Sequence, residues 1–228
     1  MYFVRSYSHI FTLIEYSLWK GLLAQFVNLQ RTFNWNFADV FVMLISMAFK
    51  FRLKQMTNRV KALSRIQVMD VNLFRSVRRD YEKLSDLCST INKRISLIVI
   101  VCFSLNMFFI LLQLFNSLKK IDNTTEKVYF YMSFGLILLR ATCLCILGGE
   151  MYEEWKNIAI YLFSIQSSAY NMEAERFITE VISNKLVLSG KNFFHVTRNL
   201  ILQIAGATVT YELVLIQFYS EALLQVNY

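Results

Sequence analysis

The residues able to do chemistry are few and poorly placed for catalysis. His9 and His195 stand far apart, and neither sits in a metal or triad spacing. The chain has no nucleophile elbow, phosphate loop or HExxH pattern. Cys88, Cys102, Cys143 and Cys145 lack metal-site spacing and read as structural thiols without a disulfide framework. Glu153 and Glu154 read as a charged surface face, and Gly148 and Gly149 as a packing or hinge feature. No metal, cofactor or enzymatic activity is expected. What remains is a set of polar groups inside apolar runs. Such groups are costly at membrane depth and face protein or water rather than lipid. On a helix, Gln203, Ala207, Thr210, Val214, Gln217 and Glu221 form one stripe, with Glu212 on another side. A stripe of this kind can line a wet pore. It can equally belong to an ordinary buried helix whose polar groups pair with neighbours. Arg140 and Glu212 lie near the middle of consecutive apolar runs, where an unpaired charge costs at least about 2.5 kcal/mol. An Arg140–Glu212 ion pair is therefore expected.

These residues need long apolar helices to hold them, and the composition supplies them. The chain has 228 residues, is 56% hydrophobic and only 18% charged, and contains no Pro and six Gly. A soluble domain carries about 25% charge. The reading is an all-α, multi-span membrane protein, and the scarcity of Gly and Pro argues against a β-barrel. The net charge of +8 comes from basic residues clustered beside apolar spans, as in cytoplasmic membrane flanks, so no nucleic-acid partner is expected. The residues after Met1 do not form a signal-peptide pattern.

Residues 1–228 read as a single domain with four spans, at about residues 37–53, 95–118, 128–149 and 200–220. Residues 1–36 are expected to be an extracellular loop or surface helix, or the tail of a span that begins upstream, with Trp35 as an interfacial anchor. Residues 55–94 form a basic linker with a helical apolar stripe: Ile66, Met69, Leu73, Val77, Tyr81, Leu84, Cys88, Ile91 and Ile95. Acids interleave with its bases, so packing in a cytosolic helical bundle is favoured over membrane-surface binding. Asn106, Phe109, Gln113 and Asn116 share a face that is either a ligand wall or an interhelical hydrogen-bonding seam. Asn123-Thr124-Thr125 is a glycosylation acceptor. With the basic linker cytosolic, Asn123 lies outside, residues 150–192 lie inside, and the C-terminus is extracellular.

The sequence Thr210-Tyr211-Glu212-Leu213-Val214-Leu215-Ile216-Gln217-Phe218 resembles the Thr-Tyr…Gln-Phe signature that closes the last helix of insect gustatory receptors. The Glu after Tyr, and the phrase from Leu188-Ser189-Gly190 to Ala205-Gly206, resemble the sugar-receptor branch. So do Trp35-Asn36-Phe37 with Asp39, the run from Arg78 to Leu84, and Asn106 through Gln113 to Ser117. The resemblance implies a seven-helix, ligand-gated, non-selective cation channel in the plasma membrane of chemosensory neurons. It implies a homo- or hetero-tetramer with other gustatory receptor subunits, long cytosolic helical extensions, and a pore lined by the last helix. Four of the seven spans are seen here, and three more are expected upstream of an N-terminally truncated chain. Carried over, Gln217 and Phe218 lie at or near the gate, with Thr210 and Val214 along the pore. Trp35, Asp39, Asn106 and Gln113 are candidates for a sugar pocket, placed by depth and polarity. A buried sugar needs every hydroxyl satisfied, which suits aromatic, carboxylate and amide groups. The alternatives are an odorant-receptor-type channel, against which the signature argues, and a non-conducting membrane subunit or scaffold.

Overall fold

The computed structural model describes residues 11–13, 15–65, 71–117, 123–166 and 170–226, with side chains described as far as residue 218. Arg5, His9, Ile66, Met69, Asp70, Lys119 and Lys120 lie outside the described residues. The described elements are α1 (Leu18–Ser64), α2 (Val71–Ser117), α3 (Thr124–Phe163), α4 (Met172–Ser183), β1 (Ser189–Gly190), β2 (Phe194–His195) and α5 (Asn199–Val226). A chain without Pro lets helices run on. The 47 residues of α2 span about 70 Å at 1.5 Å per residue, more than twice the bilayer core. About half of α2 must therefore project beyond the apolar layer, and the basic stretch before Ile95 is that half.

Among the described residues, α2, α3 and α5 are long and apolar enough to cross a membrane. Residues 37–53 lie within α1, which is not among those three helices. Residues 18–36 are helix, continuous with the rest of α1, rather than loop. Where the sequence reads as one domain, contacts divide the chain into residues 1–41 and residues 42–228. The first is rich in exposed apolar side chains, among them Leu18, Trp19, Phe26 and Phe33. Asp39 is fully buried and Trp35 half-buried.

In the second unit, the polar ends of the helices form a bundle. Leu53, Met56, Val60 and Leu63 of α1 are buried at helical spacing. So are Phe74, Val77, Tyr81 and Cys88 of α2, Trp155, Ile158 and Leu162 of α3, and Ala174, Phe177 and Val181 of α4. The Tyr81 and Phe177 rings meet edge to face at 5.4 Å, and the Trp155 indole donates to the Val181 carbonyl at 3.1 Å. The expected linker stripe is thus right at Val77, Tyr81 and Cys88, but Phe74 replaces Leu73, which is exposed. Two further bonds tie α1 to α3. Lys50 pairs with Glu150 at 2.7 Å, and the Thr57 hydroxyl lies 3.2 Å from Glu154. Glu154 is therefore engaged by a neighbouring helix and is not simply a surface charge.

Helix α4 is capped by Asn171, whose side chain accepts from the Ala174 N–H at 2.8 Å, and Glu173 and Glu175 occupy its positive first turn. Glu173 is also the hub of an ion network to α2. Arg78 Nε reaches it at 3.2 Å and Arg75 at 3.4 Å, while Arg78 also binds Glu82 and lies 3.6 Å from Glu180. Burial opposes ionisation of Glu173, but hydrogen bonds and charge from Arg78 and Arg75 outweigh it and hold the carboxyl below its ordinary value. Burial, reinforced by the Glu82 charge, pushes Glu180 up to about 7 despite Arg78.

These two acids act in opposite directions. Glu173 stabilises the fold above the ordinary value of 4.5, and that contribution is lost as pH falls through its lowered pKa. Glu180 holds its proton more tightly folded than unfolded. Its contribution is complete below 4.5 and is lost as pH rises through about 7. Detergent-solubilised protein is expected to melt at a lower temperature at pH about 8 than at pH about 6. Glu180→Gln should shrink that difference, as read by thermal unfolding in the same detergent. An unchanged difference in the variant would show that Glu180 is not the titrating group.

Candidate functional site: the last helix and its supports

Helix α5 has two faces. Ile201, Ile204, Thr208, Tyr211, Glu212 and Leu215 are partly buried, at the spacing of one helical side. Ile204 and Tyr211 pack against Ile110 and Leu114 of α2 and Ala141 of α3. Gln203, Ala207, Thr210, Val214 and Gln217 are exposed, and at 100° per residue they lie roughly opposite the packed side. Phe218 is 66% exposed at the edge of that stripe. Thr210 gives its hydroxyl back to the Gly206 carbonyl at 2.9 Å, which spares it a partner elsewhere. Only 6% of the most apolar part of α5 is buried within the chain, so most of its surface is available to lipid, water or other subunits.

The start of α5 is fastened differently. Residues 189–195 form an antiparallel hairpin, pairing Ser189 with His195 and Gly190 with Phe194. Asn92 of α2 accepts from the Ser189 N–H at 2.9 Å and donates to its hydroxyl at 3.0 Å. The Phe194 ring meets Phe103 of α2 edge to face at 5.2 Å. On the other side, Gly148 and Gly149 of α3 let the chain pass. A Cβ on Gly148 would come within 2.4 Å of Val196, and one on Gly149 within 2.7 Å of the Arg198 backbone nitrogen. The expected packing role of this Gly pair is what the structure holds, and its beneficiary is the segment leading into α5.

Between α2 and α3 runs a polar seam. Arg140 donates to Oδ1 of buried Asn106 from Nε at 3.1 Å and from Nη2 at 2.6 Å. Gln113 donates to the Ser133 hydroxyl at 3.2 Å. The expected Arg140–Glu212 ion pair is not formed. Arg140 is turned toward α2, whereas Glu212 lines a cavity of about 290 Å³ among α2, α3 and α5, together with Thr142, Thr208 and apolar side chains. Asn106 and Gln113 thus take part in a hydrogen-bonding seam. Trp35 and Asp39 fall in the other unit. Sequence reasoning missed Ser133 and the Asn106–Arg140 pair, although a signal was there. Both bonded pairs are centred on residue 123 and lie seven residues apart on each helix, as an antiparallel pair joined near Asn123 requires.

The exchange Arg140→Glu with Glu212→Arg is expected to rescue nothing, since the two do not meet. Asn106→Leu should cost about 1.5–3 kcal/mol, the worth of a hydrogen bond to a charged partner. The yield of monodisperse protein on size exclusion checks both. Recovery in the double exchange would restore the ion pair.

The chain matches the family model described as trehalose receptor over residues 1–226. It is 34% identical over 220 residues to the gustatory receptor for sugar taste 64f of Drosophila melanogaster, covering 96% of this chain and 47% of that protein. It is 30% identical over 220 residues to gustatory receptor 5a for trehalose of the same organism, covering 96% of this chain and 49% of that one. The chain therefore spans about half the length of the curated relatives it matches. Its fold is similar to that of the insect olfactory receptor OR5 from Machilis hrabei, solved in complex with eugenol. The TM-score is 0.65 at 17% identity, over 79% of this chain and 47% of that one. These relatives are sensory receptors, not enzymes. Matched along nearly its whole length, this multi-pass membrane chain belongs to the trehalose receptor family, the sugar-receptor branch of the insect gustatory receptors.

Proposed function

We propose that the chain is the pore-forming part of a sugar-gated, non-selective cation channel, assembled as a homo- or hetero-tetramer with other gustatory receptor subunits. The observation that carries this reading is the exposed small-and-polar stripe of α5, set opposite the side that packs on α2 and α3. Four copies of such a helix around an axis would give a wet lumen bounded by Thr210, Val214 and Gln217, with Phe218 near the gate. Residues 37–53 are taken as a further span. Trp35, Asp39, Asn106 and Gln113 are the candidates from this chain for contact with the sugar.

The orientation proposed is basic bundle inside and C-terminus outside, in the plasma membrane of a chemosensory neuron. Asn123 supports it. It is exposed and caps α3 through Oδ1, which accepts from Thr125 N–H at 3.1 Å, so its Nδ2 takes no part in the cap bond. In cells, a glycosidase that strips N-glycans should shift the native band and leave Asn123→Gln unshifted. A native band that never shifts removes this support for an outer loop.

Whole-cell recording in cells expressing the chain with other gustatory receptor subunits should show a cation current evoked by a disaccharide. Gln217→Ala and Phe218→Ala should each change conductance or open probability severalfold, at unchanged surface abundance. Unaltered currents in both would displace the gate from these residues.

A further inference from the structure

The hairpin that leads into α5 ends in an exposed turn. Lys191 and Asn192 adopt left-handed backbone angles, φ 45° and 64°, and the Phe193 N–H closes the turn on the Gly190 carbonyl at 2.9 Å. This geometry thrusts Phe193 outward, and it is 84% exposed.

The depth of the turn is fixed by what the hairpin touches. Ser189 is held by Asn92, while a Cβ at Gly190 would meet Ile100 at 2.9 Å and Phe194 meets Phe103. The contacts thus climb α2 across the step from Lys93 and Arg94 to the apolar run that opens at Ile95. Ile100 to Phe103 stand about 8–12 Å beyond that step at 1.5 Å per residue. That is the zone where interfacial aromatic groups sit.

The charge around the turn is mainly basic, and the nearest acid of α2, Asp86, lines a cavity with Lys185 and Asn92. Lys93, Arg94, Lys185, Lys191 and Arg198 are all exposed. No Asp or Glu occurs between Glu180 and Glu212, nor between Asp86 and Asp122. Glu150, next to the glycine that meets Arg198, is taken by Lys50.

We infer that the turn of Lys191, Asn192 and Phe193 docks into the leaflet on the basic side of the protein. Phe193 enters the margin of the acyl chains, and Lys191 binds an anionic phospholipid headgroup. Because the turn is continuous with the start of α5, bound lipid holds that helix at its origin.

The test uses the full chain, reconstituted in phosphatidylcholine vesicles with and without phosphatidylserine. Phe193→Trp adds one fluorophore to Trp19, Trp35 and Trp155, and subtracting the wild-type spectrum isolates it. The added emission should be quenched more strongly by lipids brominated near the ester end of the acyl chain than by aqueous iodide. Energy transfer to dansyl-phosphatidylserine should need about fivefold more of that lipid after Lys191→Gln, the loss of one interfacial charge. That arm can be read without touching the aromatic ring, using transfer from the native tryptophans. Preferential quenching by iodide would place the turn in water. Resistance to both quenchers, relieved by diluting protein into more lipid, would place it against a second copy of this chain. Either result overturns the proposal, as does a dansyl-lipid titration unmoved by Lys191→Gln.

Discussion

The clasp at the start of α5 is the constraint on which the rest of the molecule depends. Two glycines of α3 leave room for a backbone, Asn92 of α2 grips Ser189 with two hydrogen bonds, one to its N–H and one to its hydroxyl, and Phe194 locks against Phe103. Each bond is worth about 1 kcal/mol and the ring pair about as much again. None is large, but they converge on one short segment. Through it, α2 and α3 set where the last helix begins. Beyond it, α5 is held by non-directional apolar contact.

The polar seam does a different task. In an apolar surrounding, Asn106, Gln113, Ser133 and Arg140 cannot turn to water, so they find one another across α2 and α3. Their register fixes how far the two helices have slid along each other, which apolar packing alone leaves loose. The ion network around Glu173 does the same for α4 against α2, outside the apolar layer.

Much of this was legible in the residues. Long apolar runs without Pro gave the helices, and helical spacing gave the two sides of α5 and most of the buried face of α2. Arg140 misleads because a mid-depth charge suggests an opposite charge as partner. Glu212 is not that partner, and two of the Arg140 hydrogen bonds go to the Asn106 amide, in an antiparallel register centred near Asn123. Leu73 and Phe74 differ by one position, and helical periodicity cannot choose between adjacent residues at the frayed start of a stripe. The division at residue 41 left no mark in the sequence, because the helix runs through it. The clasp was half visible, in a Gly pair whose function is steric and whose partner lies about 50 residues on.

A rod held firmly at one end behaves as a lever. Gln217 lies 18 residues beyond Asn199, about 27 Å along the axis. A rotation of about 2° at the clasp therefore carries that position by about 1 Å, while residues near the fulcrum scarcely move. The cavity beside Thr208 and Glu212 gives the shaft somewhere to swing. Displacements too small to disturb the hairpin arrive magnified at the far tip.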